Sequence, residues 1–158
     1  MELLHNVPLL SALFAIIFAQ FIKIPIHFIV TKKVDWSLFT STGGMPSSHS
    51  AAVSSLTTAI AFETGLNSPL FAVSTVFAII VMFDATGIRY QAGQQAVIIN
   101  QLRKDFQIFV NEAKGWIEKK EEEKMKELKT LLGHRPSEVF FGCLTGILIS
   151  VIVYTVAL

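Results

Sequence analysis

The sequence predicts an all-α integral membrane protein, a four-span helical bundle with a long extramembrane helical insertion before the last span. Apolar residues make up 52% of the 158 and charged ones only 16%, where an ordinary soluble domain carries about a quarter charged. That excess is gathered into runs near the length of about 20 apolar residues that crosses a hydrocarbon core. The Lys and Arg residues all fall in the segments that lie on one side of the membrane if four such runs alternate. At this length the chain is read as one membrane domain, residues 1–158, with spans at about 7–30, 47–62, 69–88 and 136–157 and an insertion at 90–132.

The first run, Val7–Val30, is interrupted only by Gln20, Lys23 and His27. Lys23 has two readings. It can snorkel to the interface, or it can serve an anion site, as charges inside membrane segments commonly do. His27 on this run and His5 near the terminus are read as structural or solvated. The start of the chain, Met1-Glu2-Leu3-Leu4-His5, lacks the basic region of a secretory signal. A polar connection follows, carrying Lys32, Lys33 and Asp35 and ending in Gly43-Gly44.

The second run, 47–62, is rich in Ser50, Ser54, Ser55, Thr57 and Thr58. Small and hydroxylated residues let helices approach closely in lipid, so this helix is expected at the centre of the bundle. Glu63–Ser68 is a compact turn, with Gly65 as stop and Pro69 as the next start. The third run ends at Asp84-Ala85-Thr86-Gly87-Ile88-Arg89. Asp84 and Arg89 either pair with each other, or Asp84 holds Arg89 while the guanidinium reaches an anion.

The insertion is polar and charged, but Ile99, Leu102, Phe106, Phe109, Ala113 and Trp116 recur at alternating steps of three and four. That spacing makes a narrow apolar seam on a helix. The seam can lie on the membrane, pack on the bundle, or join a second copy of the chain. Gly115 is the expected bend, and the mixed-sign run Glu118–Lys129 reads as a solvated face. In the last run Gly142 and Gly146 form a small-xxx-small face, which serves either a homodimer or close packing within one bundle. The single cysteine, Cys143, excludes an intramolecular disulfide and reads as a packing residue.

All 13 Lys and Arg residues lie on the side carrying Lys23, Lys32, Lys33 and the segment Arg89–Arg135. The positive-inside rule places that side in the cytoplasm and both termini opposite. Nothing in this charge pattern points to nucleic acid.

Two stretches on the cytoplasmic side carry chemistry. Gly43–Ser50 reads Gly-Gly-Met-Pro-Ser-Ser-His-Ser. The glycines allow close approach to a ligand, while Ser47 and Ser48 stand where free N–H groups and the helix dipole favour an anion. His49 adds a group that titrates near neutrality. Gly133–Glu138 reads Gly-His-Arg-Pro-Ser-Glu and again opens an apolar run. His134 and Glu138, four apart, share a helix face.

Pro46-Ser47-Ser48-His49 resembles the Pro-Ser-Gly-His element of the type-2 phosphatidic acid phosphatase superfamily, which also includes the vanadium haloperoxidases. His134-Arg135-Pro136-Ser137-Glu138 resembles its His-x-x-x-Asp element, with Glu for Asp. The chain is identified as a member of the small divergent branch, with matches from Lys23 to Gly146. The Arg-Pro pair that follows the family's lysine is missing, Val30 standing in its place, and Lys32 and Lys33 are the nearest substitutes. Leu128 stands where the family has an Arg before its nucleophile, so Arg89 is assigned that role.

The resemblance implies hydrolysis of a lipid phosphate monoester without metal or other cofactor, through a phosphohistidine. His134 would be the nucleophile, Glu138 its ring partner and His49 the general acid. Lys23, Arg89, the Ser47–Ser48 helix start and Lys32 or Lys33 would hold the phosphate, with Asp84, Gly43 and Gly44 in support. Three other readings stand beside this one. A metal site could use His49, His134, Asp84 and Glu138, although no HExxH-type spacing is present. A non-catalytic lipid-phosphate binder or scaffold needs only the anion pocket. Transport of a phosphorylated lipid or small anion would suit the polar second span, but no inverted repeat accompanies it.

Overall fold

The computed structural model of the chain describes residues 5–113 and 132–156. Helix α1 is Val7–Thr31, α2 Ser48–Thr64, α3 Pro69–Thr86, α4 Ile88–Ala113 and α5 Pro136–Val156. Each of the first three starts on a side-chain cap. Asn6 accepts from the Leu9 N–H, Ser47 from Ser50 and Ser68 from Phe71, satisfying amides that a helix start leaves unpaired. Pro8 and Pro69 occupy first-turn positions, where a missing N–H costs nothing. Between α1 and α2 lies a short 3-10 helix, Trp36–Thr40. Its cap Asp35 accepts from both the N–H and the hydroxyl of Ser37, which holds the Asp35 carboxyl below its ordinary range.

Three stretches are long and apolar enough to cross a membrane: α1, the run Pro69–Val110 that begins with α3, and α5. This is an integral membrane protein with an all-helical bundle. Large apolar side chains such as Phe14, Ile17, Val73, Phe77 and Leu148 face outward, where lipid tails solvate them. The interior is built instead from small residues, with Ala15, Ala19 and Ala51 fully buried around Ile149. Close backbone packing of this kind replaces the hydrophobic drive that is absent between helices in lipid.

The central helix is α2, which contacts α1, α3 and α5. Helix α5 follows it in parallel from end to end. A Cβ at Gly142 would collide with the Ser47 carbonyl, and one at Gly146 with the Ala51 carbonyl. A turn further on, Ser150 donates to the Ser55 carbonyl at 2.7 Å. At the far end Tyr154 donates to Glu63 at 2.8 Å and stacks on Phe62. Of the two uses open to the small-residue face, the chain shows close packing within one bundle: Gly142 and Gly146 are buried against α2.

Helix α3 ends at Thr86, two residues earlier than its apolar run suggested, and α4 begins immediately after a break at Gly87 (φ −95°, ψ −95°). At that break the Ala85 carbonyl accepts the His134 N–H at 2.9 Å, the place an i+4 amide takes in an unbroken helix. Gly133 makes the return possible. Its φ of +78° disfavours other residues, and a Cβ there would collide with the backbone of Arg89 and Tyr90. On α4 the seam residues Ile99, Leu102, Phe106 and Phe109 are exposed. The Ala113 side chain, Gly115, Trp116 and the charged run to Lys129 lie outside the described residues.

Candidate active site

The two histidine elements meet at one end of the bundle because α2 and α5 start together. The Ser47 N–H donates to the Glu138 carbonyl at 2.9 Å, which brings the first turns of the two helices side by side. His49 and His134 then lie with ring centroids 6.1 Å apart. Both line a pocket of about 550 Å³ whose other walls come from Thr42, the end of α3 and the start of α4.

His134 is 1% exposed. Its Nδ1 lies 3.0 Å from a Glu138 carboxylate oxygen, and that oxygen also accepts the Arg135 N–H at 3.2 Å. The ring's other nitrogen, Nε2, is buried with no hydrogen-bond partner. A buried polar atom left unpaired costs free energy on the order of 1–3 kcal/mol, so a bound group that pairs with Nε2 regains it. With Nδ1–H donated to the carboxylate, Nε2 carries the lone pair. His49 sits more openly at the mouth of the pocket, and the charges of His134, Arg89, Lys23 and Asp84 all reach it.

Arg89 and Asp84 both line the pocket and form an ion pair through the Arg89 Nε. The pair bridges the Gly87 break. Lys23 is placed differently. It is 2% exposed and turned inward, so it does not snorkel. Its Nζ is 3.4 Å from the Ser41 carbonyl, its stem passes beneath Gly44, and its charge reaches Glu138, but it does not line the pocket. Lys32 and Lys33 are exposed at the end of α1 and do not line it either. Ser47 is fully buried as the α2 cap, its hydroxyl engaged by Ser50 and its N–H by Glu138. Ser48 and Gly43 are buried beside it, and Gly44 takes φ +88° in the loop above Lys23.

Sequence reasoning missed Thr42 and the apolar wall of Ile79, Ile80, Val81, Phe83 and Ile88. Thr42 adjoins the glycine pair, a usable signal. The apolar wall gave none, because its residues read like any lipid-facing run. Among the described residues, no three His, Cys, Asp or Glu side chains gather as a metal-binding group.

A family model described as "Divergent PAP2 family" matches residues 4–149. The chain is 66% identical over 152 residues to the "Uncharacterized membrane protein YuiD" of Bacillus subtilis (strain 168), covering 96% of each. No solved structure matches the chain. Coverage of nearly the whole length by the family model, together with this level of identity, shows that the chain belongs to the divergent PAP2 family.

Proposed function

We propose that the chain is a membrane phosphatase that hydrolyses a lipid phosphate monoester at the cytoplasmic interface, without a metal, through a phosphohistidine on His134. One observation carries the reading: His134 is held by Glu138 at one nitrogen, its other nitrogen is buried and unpartnered, and the residue lines a pocket shared with His49 and Arg89. Nε2 attacks phosphorus and the bond to the lipid oxygen breaks. Glu138 stabilises the positive ring that results. His49, protonated, gives its proton to the leaving alkoxide. Neutral His49 then takes a proton from water, which attacks the phosphohistidine, releases phosphate and restores Nε2. Arg89 exchanges Asp84 for the equatorial phosphate oxygens, assisted by the first turn of α2. Lys23 acts from below, through Glu138 and the Ser41–Gly44 loop.

The apolar wall of the pocket supports a lipid rather than a soluble ester as substrate. Four spans are supported by the pairing of α2 with the whole length of α5. At 1.5 Å per residue α2 is roughly 26 Å long, short for a hydrocarbon core of about 30 Å, and polar enough to need the other helices around it. With four spans, the one-sided Lys and Arg put the pocket in the cytoplasmic leaflet and both termini opposite.

Phosphate release by purified full-length protein, offered phosphatidate, phosphatidylglycerophosphate and a prenyl phosphate in detergent, tests the reading. Turnover of at least one, absent in His134→Ala, is expected. Binding of these lipids with no release from any would make the chain a lipid-phosphate binder instead.

A further inference from the structure

Helix α4 leaves α3 with only Gly87 between them, so it starts where a membrane-crossing helix ends. It carries a bare apolar face: Ile88 is 72% exposed, Ile98 67%, Leu102 66%, Phe106 64% and Phe109 66%. With 3.6 residues per turn, these five and Ile99 fall within an arc of roughly 100°. Exposed Gln91 and Gln95 interrupt the arc, Asp105, Gln94 and Gln101 flank one edge of it, and Lys104 lies on the back with Val97 and Ile108. Gln101 is bonded to Asp105 at 2.9 Å.

We propose that α4 lies along the cytoplasmic membrane surface with this face in the lipid. Three features select lipid over a second copy of the chain. The face begins at the membrane, directly off α3 with only Gly87 between them. Ile98 widens the seam from roughly 80° to roughly 100°, beyond the narrow stripe that joins a pair of helices. Its anchors are large branched and aromatic side chains beside a flank of Gln94, Gln101 and Asp105, with Lys104 behind, an amphipathic pattern that suits an interfacial helix. The placement bears on the pocket, because the Gly87 break at the root of α4 holds Arg89 and receives the His134 N–H. A helix bound to the surface fixes that break, whatever chemistry the pocket performs.

The test uses the full chain with Cys143→Ala, reconstituted in vesicles of phosphatidylethanolamine and phosphatidylglycerol. Single substitutions Leu102→Cys, Phe106→Cys, Phe109→Cys, Gln94→Cys and Gln101→Cys receive an environment-sensitive fluorophore. Lipid-borne quenchers should quench the labels at 102, 106 and 109 at least severalfold more than those at 94 and 101, and an aqueous quencher should show the reverse order. Equal access of the aqueous quencher to both sets would overturn the proposal, leaving α4 solvated. Shielding of 102, 106 and 109 from both quenchers would overturn it equally, since protein would then cover the face. None of these residues lines the pocket, so the outcome is independent of whether the protein is a phosphatase.

Discussion

The Nδ1 atom of His134 lies 3.0 Å from a carboxylate oxygen of Glu138, one helical turn further along the chain. The Arg135 N–H fixes the same oxygen, so the carboxylate is oriented before it meets the ring. A carboxylate in this position selects the tautomer, and in the proposed mechanism it would stabilise the charged imidazole formed on attack. His49 has Val53 at the equivalent offset, and no carboxylate is available to it from its own helix.

Replacing Glu138 should therefore damage the nucleophile rather than substrate binding. Glu138→Gln is expected to lower kcat by roughly a thousandfold or more, on the scale seen when a histidine loses its orienting carboxylate, with KM little changed. Glu138→Asp should recover part of the loss, since the shorter acid can still meet the ring. Steady-state kinetics on the preferred lipid phosphate read both. A loss confined to KM would place Glu138 in binding instead.

Arg89 and Asp84 should have unequal weights. If Arg89 stabilises charge on the phosphoryl group, Arg89→Ala should lower kcat by about 10²–10³. Asp84→Asn, which leaves the guanidinium in place, should cost less than about tenfold on the same scale. Equal losses in the two variants, measured side by side, would mean that the ion pair matters only as structure.

Gly133 and Gly65 both adopt positive φ, yet only Gly133 is crowded, by the backbone of Arg89 and Tyr90. Each substitution to Ala should cost about 1–3 kcal/mol of backbone strain, read as a lower melting temperature in detergent. Gly133→Ala should in addition displace His134 from the Ala85 carbonyl and abolish turnover per folded molecule. Gly65→Ala, far from the pocket, should leave turnover intact. If both variants stay fully active, the return loop does not set the position of His134.

Orientation can be read from labelling of intact cells. In a Cys143→Ala background, Ser68→Cys should react with an impermeant thiol reagent from outside, and Lys33→Cys only after permeabilisation. The opposite pattern would turn the pocket outward.

Much of the architecture was legible because membrane helices announce themselves as apolar runs, which located α1, α3 and α5 within a few residues. The polar α2 was legible as a central helix through its Ser and Thr content, although its length and composition fall short of a free-standing span. Its role becomes clear only from Gly142, Gly146, Ser150 and Tyr154 following it turn by turn. The contact of His134 with Glu138 was readable because it is local, an i,i+4 pair on one helix. Lys23 was not, since whether a lysine reaches a pocket or the loop above it depends on where Ser41 and Gly44 fold. The wall from Ile79 to Phe83 was hidden for a different reason: in a lipid-facing helix, residues that line a pocket and residues that meet acyl chains are the same types.

The central claim is that phosphorus becomes bonded to His134, and trapping the phosphoenzyme tests it most directly. Full-length protein is mixed with its lipid phosphate labelled on phosphorus, quenched in denaturant at alkaline pH, and mapped for the modified residue. An acid-labile phosphohistidine at position 134 is expected in the unaltered protein and none in His134→Ala. His49→Ala should still form it from an activated aryl phosphate, whose leaving group needs little protonation. Turnover with no phosphoenzyme detectable under any quench, or label found on His49 instead, would contradict the account.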